Sequence, residues 1–181
     1  MRYSGPRRDA RKGADSMSGC VTIRPATAGD IAAVRDIVSQ SWMASYGPAV
    51  GASAVTDMAA ILLSEITLRQ LVADASVDTP VALVDGAAAA TAMARREDDC
   101  LHVQRLYVLP QFQRRGLGVA LLAWLAARQR TGMTIRLEAA DTNHGALRFY
   151  RREGFADIGG DREIIGGVSF DIRRLERRAR G

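Results

Sequence analysis

The chain has 181 residues, 48% hydrophobic and 25% charged, which fits one soluble domain with a single core rather than two. No uncharged run reaches the roughly 18 residues of a membrane helix, and no apolar segment of signal-peptide length follows the basic start, so a cytoplasmic protein without a membrane partner is expected. The formal charge of +5 sits at the ends, in Arg2, Arg7, Arg8, Arg11 and Lys12 and again in Arg173, Arg174, Arg177, Arg178 and Arg180, so the body is slightly acidic and nucleic acid is not the expected partner.

Residues 1–18 have no periodicity and read as a disordered basic tail, with Met17 as an alternative start. The domain is expected over 19–176, and 177–181 reads as a basic C-terminal tail. Residues 20–25 read as a strand. Thr27 and Asp30 form a capping-box start for a helix that buries Ile31, Val34, Ile37 and Val38 and stops at Tyr46-Gly47-Pro48. Trp42 and Tyr46 near its end read either as core packing or as a wall of an acceptor pocket. After a loop over 49–56, residues 57–74 predict one amphipathic helix, with Met58, Ile61, Leu62, Ile66, Leu68 and Leu71 facing inward. Residues 81–84 and 87–94 predict a hairpin through Asp85-Gly86. The alanine run of its second arm would favour a helix by itself; the turn before it and the polar break over 95–99 make it a strand.

A strand over 101–108, closed by Pro110, then feeds a glycine-containing loop and a helix. Leu117, Leu121, Trp124 and Leu125 give that helix one apolar face. A strand over 133–139, a helix over 143–153 closed by Gly154, and strands over 155–158 and 168–175 complete the chain, with Gly159-Gly160 and Gly166-Gly167 as turns or a wide hairpin. The predicted order is β-α-α-β-β-β-α-β-α-β-β.

A strand, a glycine loop and a helix N-terminus make an anion site, because the first-turn N–H groups and the helix dipole point at the arriving charge. A Walker A loop is excluded, since Lys12 is the only lysine. A Rossmann fingerprint is excluded because Leu121 stands where its third glycine belongs. The remaining form is Gln113-Arg114-Arg115-Gly116-Leu117-Gly118 after Leu106-Tyr107-Val108-Leu109-Pro110. It resembles the pyrophosphate loop of the GCN5-related N-acetyltransferase superfamily. A second block supports this: Asn143-His144-Gly145-Ala146 through Phe149-Tyr150 to Gly154-Phe155 is similar to the family's later motif. The resemblance covers residues 20–175.

It implies an α/β (α+β) acyl-CoA N-acyltransferase fold, a mixed and mostly antiparallel sheet flanked by helices. It also implies acetyl transfer from acetyl-CoA to a primary amine, a small molecule such as a polyamine or a peptide or protein amine, by direct attack in a ternary complex. The alternative is a CoA-binding regulatory or structural protein without catalysis. By resemblance, backbone groups of Leu106 and Val108 would pair with the pantetheine arm. The loop from Gln113 through Arg114, Arg115, Gly116, Leu117 and Gly118 to Val119 would hold the diphosphate. Tyr150 would meet the cofactor and protonate the departing thiolate, and Asn143 would cap its helix, bind cofactor, or both.

Strict alternation places Cys100, His102, Gln104, Leu106 and Val108 on one strand face. His102 titrates in the right range for a base, with Glu138 and Asp141 as rivals acting through water. His144 reads as an exposed helix-start residue. Cys20, Cys100, His102 and His144 match no zinc spacing, so no metal is expected. A thiol nucleophile at Cys100 lacks a visible orienting group. A homodimer through the late strands is compatible with the pattern.

Overall fold

The computed structural model describes residues 20–165 and 168–179, so the tail expected over 1–18 and the turn expected at Gly166-Gly167 lie outside the described residues. The strands are β1 (Val21–Pro25), β2 (Val77–Asp78), β3 (Pro80–Val84), β4 (Ala87–Arg96), β5 (Cys100–Val108), β6 (Thr134–Ala140), β7 (Ala156–Ile165) and β8 (Val168–Arg178). The α-helices are α1 (Ile31–Val50), α2 (Ala52–Leu62), α3 (Glu65–Ala73), α4 (Leu117–Ala126) and α5 (His144–Arg152). The strands form one eight-stranded sheet in the order β1-β3-β4-β5-β6-β8-β7, with β2 beside β4. Every pairing is antiparallel but that of β5 with β6.

The β3–β4 hairpin closes on Asp85 and Gly86, at φ 51° and 84°, the left-handed pair that a two-residue turn needs. The alanine run is a strand because helices press on both of its faces. Ala89, Ala90, Ala92 and Ala94 are buried in the core shared with α4 and α5, whereas Met93 is buried against α1 and α2. Small side chains let helices approach a central strand from both sides. Thr91, fully buried, satisfies its hydroxyl by donating to the carbonyl of Pro80 at 2.9 Å.

The capping box over 27–30 forms as read. The Asp30 carboxylate accepts from the Thr27 N–H and hydroxyl at 2.7 Å each and forms a two-pronged pair with Arg24. This pairing holds the Asp30 carboxyl well below the usual carboxylate range.

Three boundaries differ from expectation. First, α1 does not stop at Gly47-Pro48 but continues to Val50 and ends at Gly51, φ 87°. Proline removes one intrahelical bond, and the contact of Tyr46 with Phe170 (ring centroids 5.4 Å apart) together with Val50 against the same core offsets that loss. Second, the helix expected over 57–74 is two helices. The chain breaks at Leu63, which is fully buried, and Ser64 caps α3 by accepting from the Thr67 N–H at 3.2 Å. The break shifts the phase, so Met58 and Leu68 face inward while Ile61 and Ile66 are 63% and 70% exposed. Third, Gly159-Gly160 is no turn. Both lie inside β7, where the register shifts between Asp157 and Gly159, and a Cβ on Gly160 would come within 3.2 Å of the Ile172 carbonyl. At the other end β8 runs to Arg178, which pairs with Thr134, so the strand takes up the first residues of the expected C-terminal tail.

Two apolar layers result. One packs α4 and α5 on the sheet through Leu121, Leu122, Leu125 and Leu147; the other packs α1, α2 and α3 through Val34, Trp42, Met58 and Leu68. Among the described residues no helix is long and apolar enough to cross a membrane.

Candidate active site

The two sheet halves part at β5. Its pairing with β6 runs from Cys100 opposite Thr134 to Val103 opposite Leu137 and then ends, because β6 continues along β8 alone. At the same place β5 bulges against β4: Val103 lies opposite Ala94 but Arg105 lies opposite Met93, leaving Gln104 as the extra residue. The bulge overturns the expectation of one shared face over 100–108. Before it, His102 faces the α1 side and Leu101 and Val103 the α4 side. After it the phase is inverted, with Arg105 and Tyr107 on the α1 side and Leu106 and Val108 packed toward α4.

Past the bulge the backbone of β5 has an open edge. The Leu109 N–H donates to the Ala89 carbonyl at 3.0 Å. Alternation then turns Leu109, Tyr107 and Arg105 toward β4, and Leu106 and Val108 toward the side that β6 has left. The Val108 carbonyl accepts the Gln113 side-chain amide at 3.2 Å, which ties the loop back to the strand end. Gln113 is thus a loop brace in this structure.

The loop after Pro110 is shaped by backbone demands. Arg114 and Gly116 take φ of 64° and 80°, and α4 starts at Leu117. Among the described residues, the N–H groups of Gly116, Leu117, Gly118 and Val119 have no hydrogen-bond acceptor. Gly118 packs close to the later motif: a Cβ there would stand 3.1 Å from the ring of Phe149, which would have to shift to admit it. The two motifs read separately in the sequence therefore touch. Arg115 lies 5.4 Å from the Phe112 ring centroid, and Arg114 and Arg115 are both exposed.

On the other side of the sheet, beneath α1 and α3, lies a cavity of about 530 Å³. Trp42, Tyr46, Tyr107 and Phe170 give it aromatic walls, and Trp42 and Tyr46 are at once core residues and residues whose inner surfaces bound the cavity. Trp42 meets Tyr107 edge-on with ring centroids 6.3 Å apart.

His102 and Glu138 meet on this wall. They are parallel-sheet neighbours, and His102 Nε2 lies 2.5 Å from Glu138 Oε2, with Nδ1 3.7 Å from Glu97 Oε1. The hydrogen bond to Glu138, opposed by partial burial and aided by the charge of both carboxylates, raises the His102 pKa. Asp141, the other rival base, is engaged with Arg173 at 3.2 Å.

Tyr150 comes from α5 on the opposite face. Its ring packs on Phe149 and Phe155, at 5.1 and 5.5 Å between centroids, and burial pushes its phenol well up. Charge on Tyr107 or Tyr46 would further oppose ionisation of Tyr150. Asn143 caps α5, its Oδ1 accepting from the Ala146 N–H at 3.1 Å, and its side chain lies beside the Tyr46 hydroxyl. His144 is exposed.

Cys100 is 1% exposed and its thiol donates to Glu97, at 3.2 Å; burial and that carboxylate push it up to about 11. A thiol held protonated is a poor nucleophile. Iodoacetamide on the folded protein is expected to alkylate exposed Cys20 and to leave Cys100 intact, as read by peptide mass mapping. Comparable labelling of both thiols would contradict the burial argument.

Sequence reasoning named the loop, Tyr150, His102 and Glu138, and the structure brings His102 and Glu138 together on the cavity wall. The same reasoning missed the site positions of Tyr107 and Arg105, which a bulge at Gln104 brings to the cavity, and it had no signal for a bulge.

No curated protein sequence matches the chain. Solved structures do match in fold. The PaiA N-acetyltransferase of Thermoplasma acidophilum, in complex with coenzyme A, superimposes with a TM-score of 0.75 at 17% identity, covering 88% of this chain and 99% of that one. The ribosomal-protein-S18-alanine N-acetyltransferase of Escherichia coli gives 0.67 at 21% identity, with coverage of 90% and 96%. Ard1 of Thermoplasma volcanium gives 0.67 at 19% identity, with coverage of 89% and 99%. At these identities the likeness shows the fold. The family model described as "Acetyltransferase (GNAT) family" matches residues 32–155, well over half of the sequence and including both motifs. With an open strand edge, a glycine loop at the start of α4 and that match in hand, the chain belongs to the GNAT acetyltransferase family, whose enzymes take their acetyl group from acetyl-CoA.

Proposed function

We propose that this protein is an N-acetyltransferase that moves acetyl from acetyl-CoA to a primary amine bound in the cavity beneath α1 and α3, by direct attack in a ternary complex. The observation that carries the proposal is the parting of β5 from β6. It leaves the backbone of Leu106 and Val108 open beside a cavity that also contains the His102–Glu138 pair.

The residues fit acetyl-CoA. Four N–H groups without acceptors at the start of α4, including those of Gly116 and Gly118, suit a diphosphate, which a helix N-terminus favours electrostatically. Leu106 offers its N–H and C=O, and Val108 its N–H, to an extended arm in the manner of an added strand. The bound cosubstrate supplies a thioester carbonyl open to attack and a thiolate leaving group.

Donors along β5 would stabilise charge developing on the carbonyl oxygen. An alkylammonium of pKa near 10.4 is neutral in only about one molecule in 2,500 at pH 7, so removing its proton is a real part of the barrier. The His102–Glu138 pair, which lines the cavity, would take that proton. Tyr150, held protonated by burial, is the donor to the leaving sulfur.

The test is acetyl-CoA turnover against a broad amine panel covering polyamines, amino acids, aminoglycosides and peptides, scored by the mass of the acetylated product. Intersecting double-reciprocal lines are expected for a ternary complex; parallel lines would instead indicate an acetyl-enzyme. Tight CoA binding with no product from any amine would overturn the proposal in favour of a non-catalytic CoA-binding protein.

A further inference from the structure

The cavity wall contains a cation without an anion. Arg105 lines the cavity directly after the bulge, and burial lowers its pKa. Its only hydrogen bond among the described residues is from Nη1 to the Met93 sulfur at 3.2 Å, a weak acceptor, and no carboxylate stands in salt-bridge range. The other basic groups on that wall are paired: Arg95 with Asp74 at 3.0 Å, and His102 with Glu138. A half-buried guanidinium presents a fork of donors, and leaving them unmet is costly. Aliphatic or aromatic residues would have filled the same wall without that cost.

The surroundings restrict what completes it. The cavity also carries Glu138 and Glu163, so it is not uniformly positive, and it combines anion-binding and cation-binding groups over one small volume. Arg105 is the residue next to Leu106, where the open edge of β5 begins, and it lines the same cavity as His102 and Glu138, so an anion on its guanidinium would share that small volume with the reacting amine. A polyamine brings only positive charge and would leave Arg105 unmet. An amino acid brings both signs at that short separation.

We infer that Arg105 is the specificity-determining residue of the acceptor site and that the acceptor is an amine bearing a nearby carboxylate, of the amino-acid class. The fork of Arg105 would receive the carboxylate in two parallel hydrogen bonds, and the amine would then lie toward the parted strands. This inference rests on the acetyltransferase reading of the same site.

The experiment compares kcat/KM for matched acceptors: an amino acid, its carboxamide, its decarboxylated amine and its aminophosphonate, in wild type, R105M and R105K. The wild type is expected to prefer the amino acid over the amide and the plain amine by about 10- to 100-fold, the range of one charge-assisted contact. R105M should bring that ratio close to one while leaving acetyl-CoA binding unchanged, and R105K should retain part of it. Equal or better use of the plain amine by wild type, or a preference that survives R105M, overturns the inference. A preference for the aminophosphonate assigns the anion to phosphate and overturns the amino-acid class. Failure of the acetyltransferase reading looks different: no acetylated product from any acceptor.

Discussion

Tyr150→Phe is expected to lower kcat by about 10²- to 10⁴-fold while acetyl-CoA binds nearly as in wild type, the range for loss of a general acid. The substitution removes one oxygen and keeps the ring, so the packing on Phe149 and Phe155 survives and the fold should tolerate it. Among the described residues the hydroxyl makes no hydrogen bond, so the substitution removes none from the fold. Burial and the neighbouring phenols of Tyr107 and Tyr46 oppose ionisation, which keeps the group a proton donor throughout the neutral range. Rapid-quench measurement of the acetyl-transfer step, beside equilibrium binding of acetyl-CoA, separates chemistry from affinity. Normal turnover by the variant would reduce Tyr150 to a packed aromatic. Tyr107→Phe provides a comparison, since it tests whether a second phenol at the same opening takes over the proton.

What was legible in the chain follows from whether a requirement is local. Gly116 needs a left-handed backbone and Gly118 needs room for the Phe149 ring, and both needs appear as residue types at fixed spacing. The Asp85-Gly86 hairpin is likewise a local statement. The bulge at Gln104 is a relation between two strands, and nothing in the β5 sequence announces that Met93 and Ala94 will face Arg105 and Val103. Strict alternation therefore placed Leu106 and Val108 on the face of His102, and left Arg105 off it. The run of α1 through Gly47-Pro48 depends on the Tyr46–Phe170 contact, whose partners are more than a hundred residues apart. The break at Leu63 was partly readable: Ser64 and Thr67 have cap spacing, but a buried leucine at the break kept the apolar pattern running. The catalytic assignments divide in the same way. His102 and Glu138 were read as rivals because a sequence cannot show that the parallel register of β5 and β6 makes them partners.

That partnership sets the second large effect. His102→Gln is expected to lower kcat/KM by about 10²- to 10⁴-fold if the imidazole is the proton acceptor. Glu138→Gln should do something more diagnostic. The Glu138 carboxylate stabilises the imidazolium and so raises the folded-state pKa above the ordinary histidine value. A base must be neutral to act, so in wild type the acid limb of log kcat/KM should rise only as pH passes that elevated pKa. With Glu138→Gln the cation loses its partner, the pKa falls, and the limb moves to lower pH. The same linkage predicts a stability signature that does not depend on turnover. Because the folded pKa is raised, the pair contributes its full stability below the unfolded histidine value of about 6.5. That contribution is lost as pH rises through the folded pKa. The Tm deficit of Glu138→Gln relative to wild type should therefore be largest in mildly acidic buffer and shrink toward alkaline pH. An acid limb that stays in place in Glu138→Gln, with the Tm signature present, would leave the pair intact as structure but remove His102 as the base. An acid limb that persists in His102→Gln would transfer the role to the Glu138 carboxylate, which lines the same cavity.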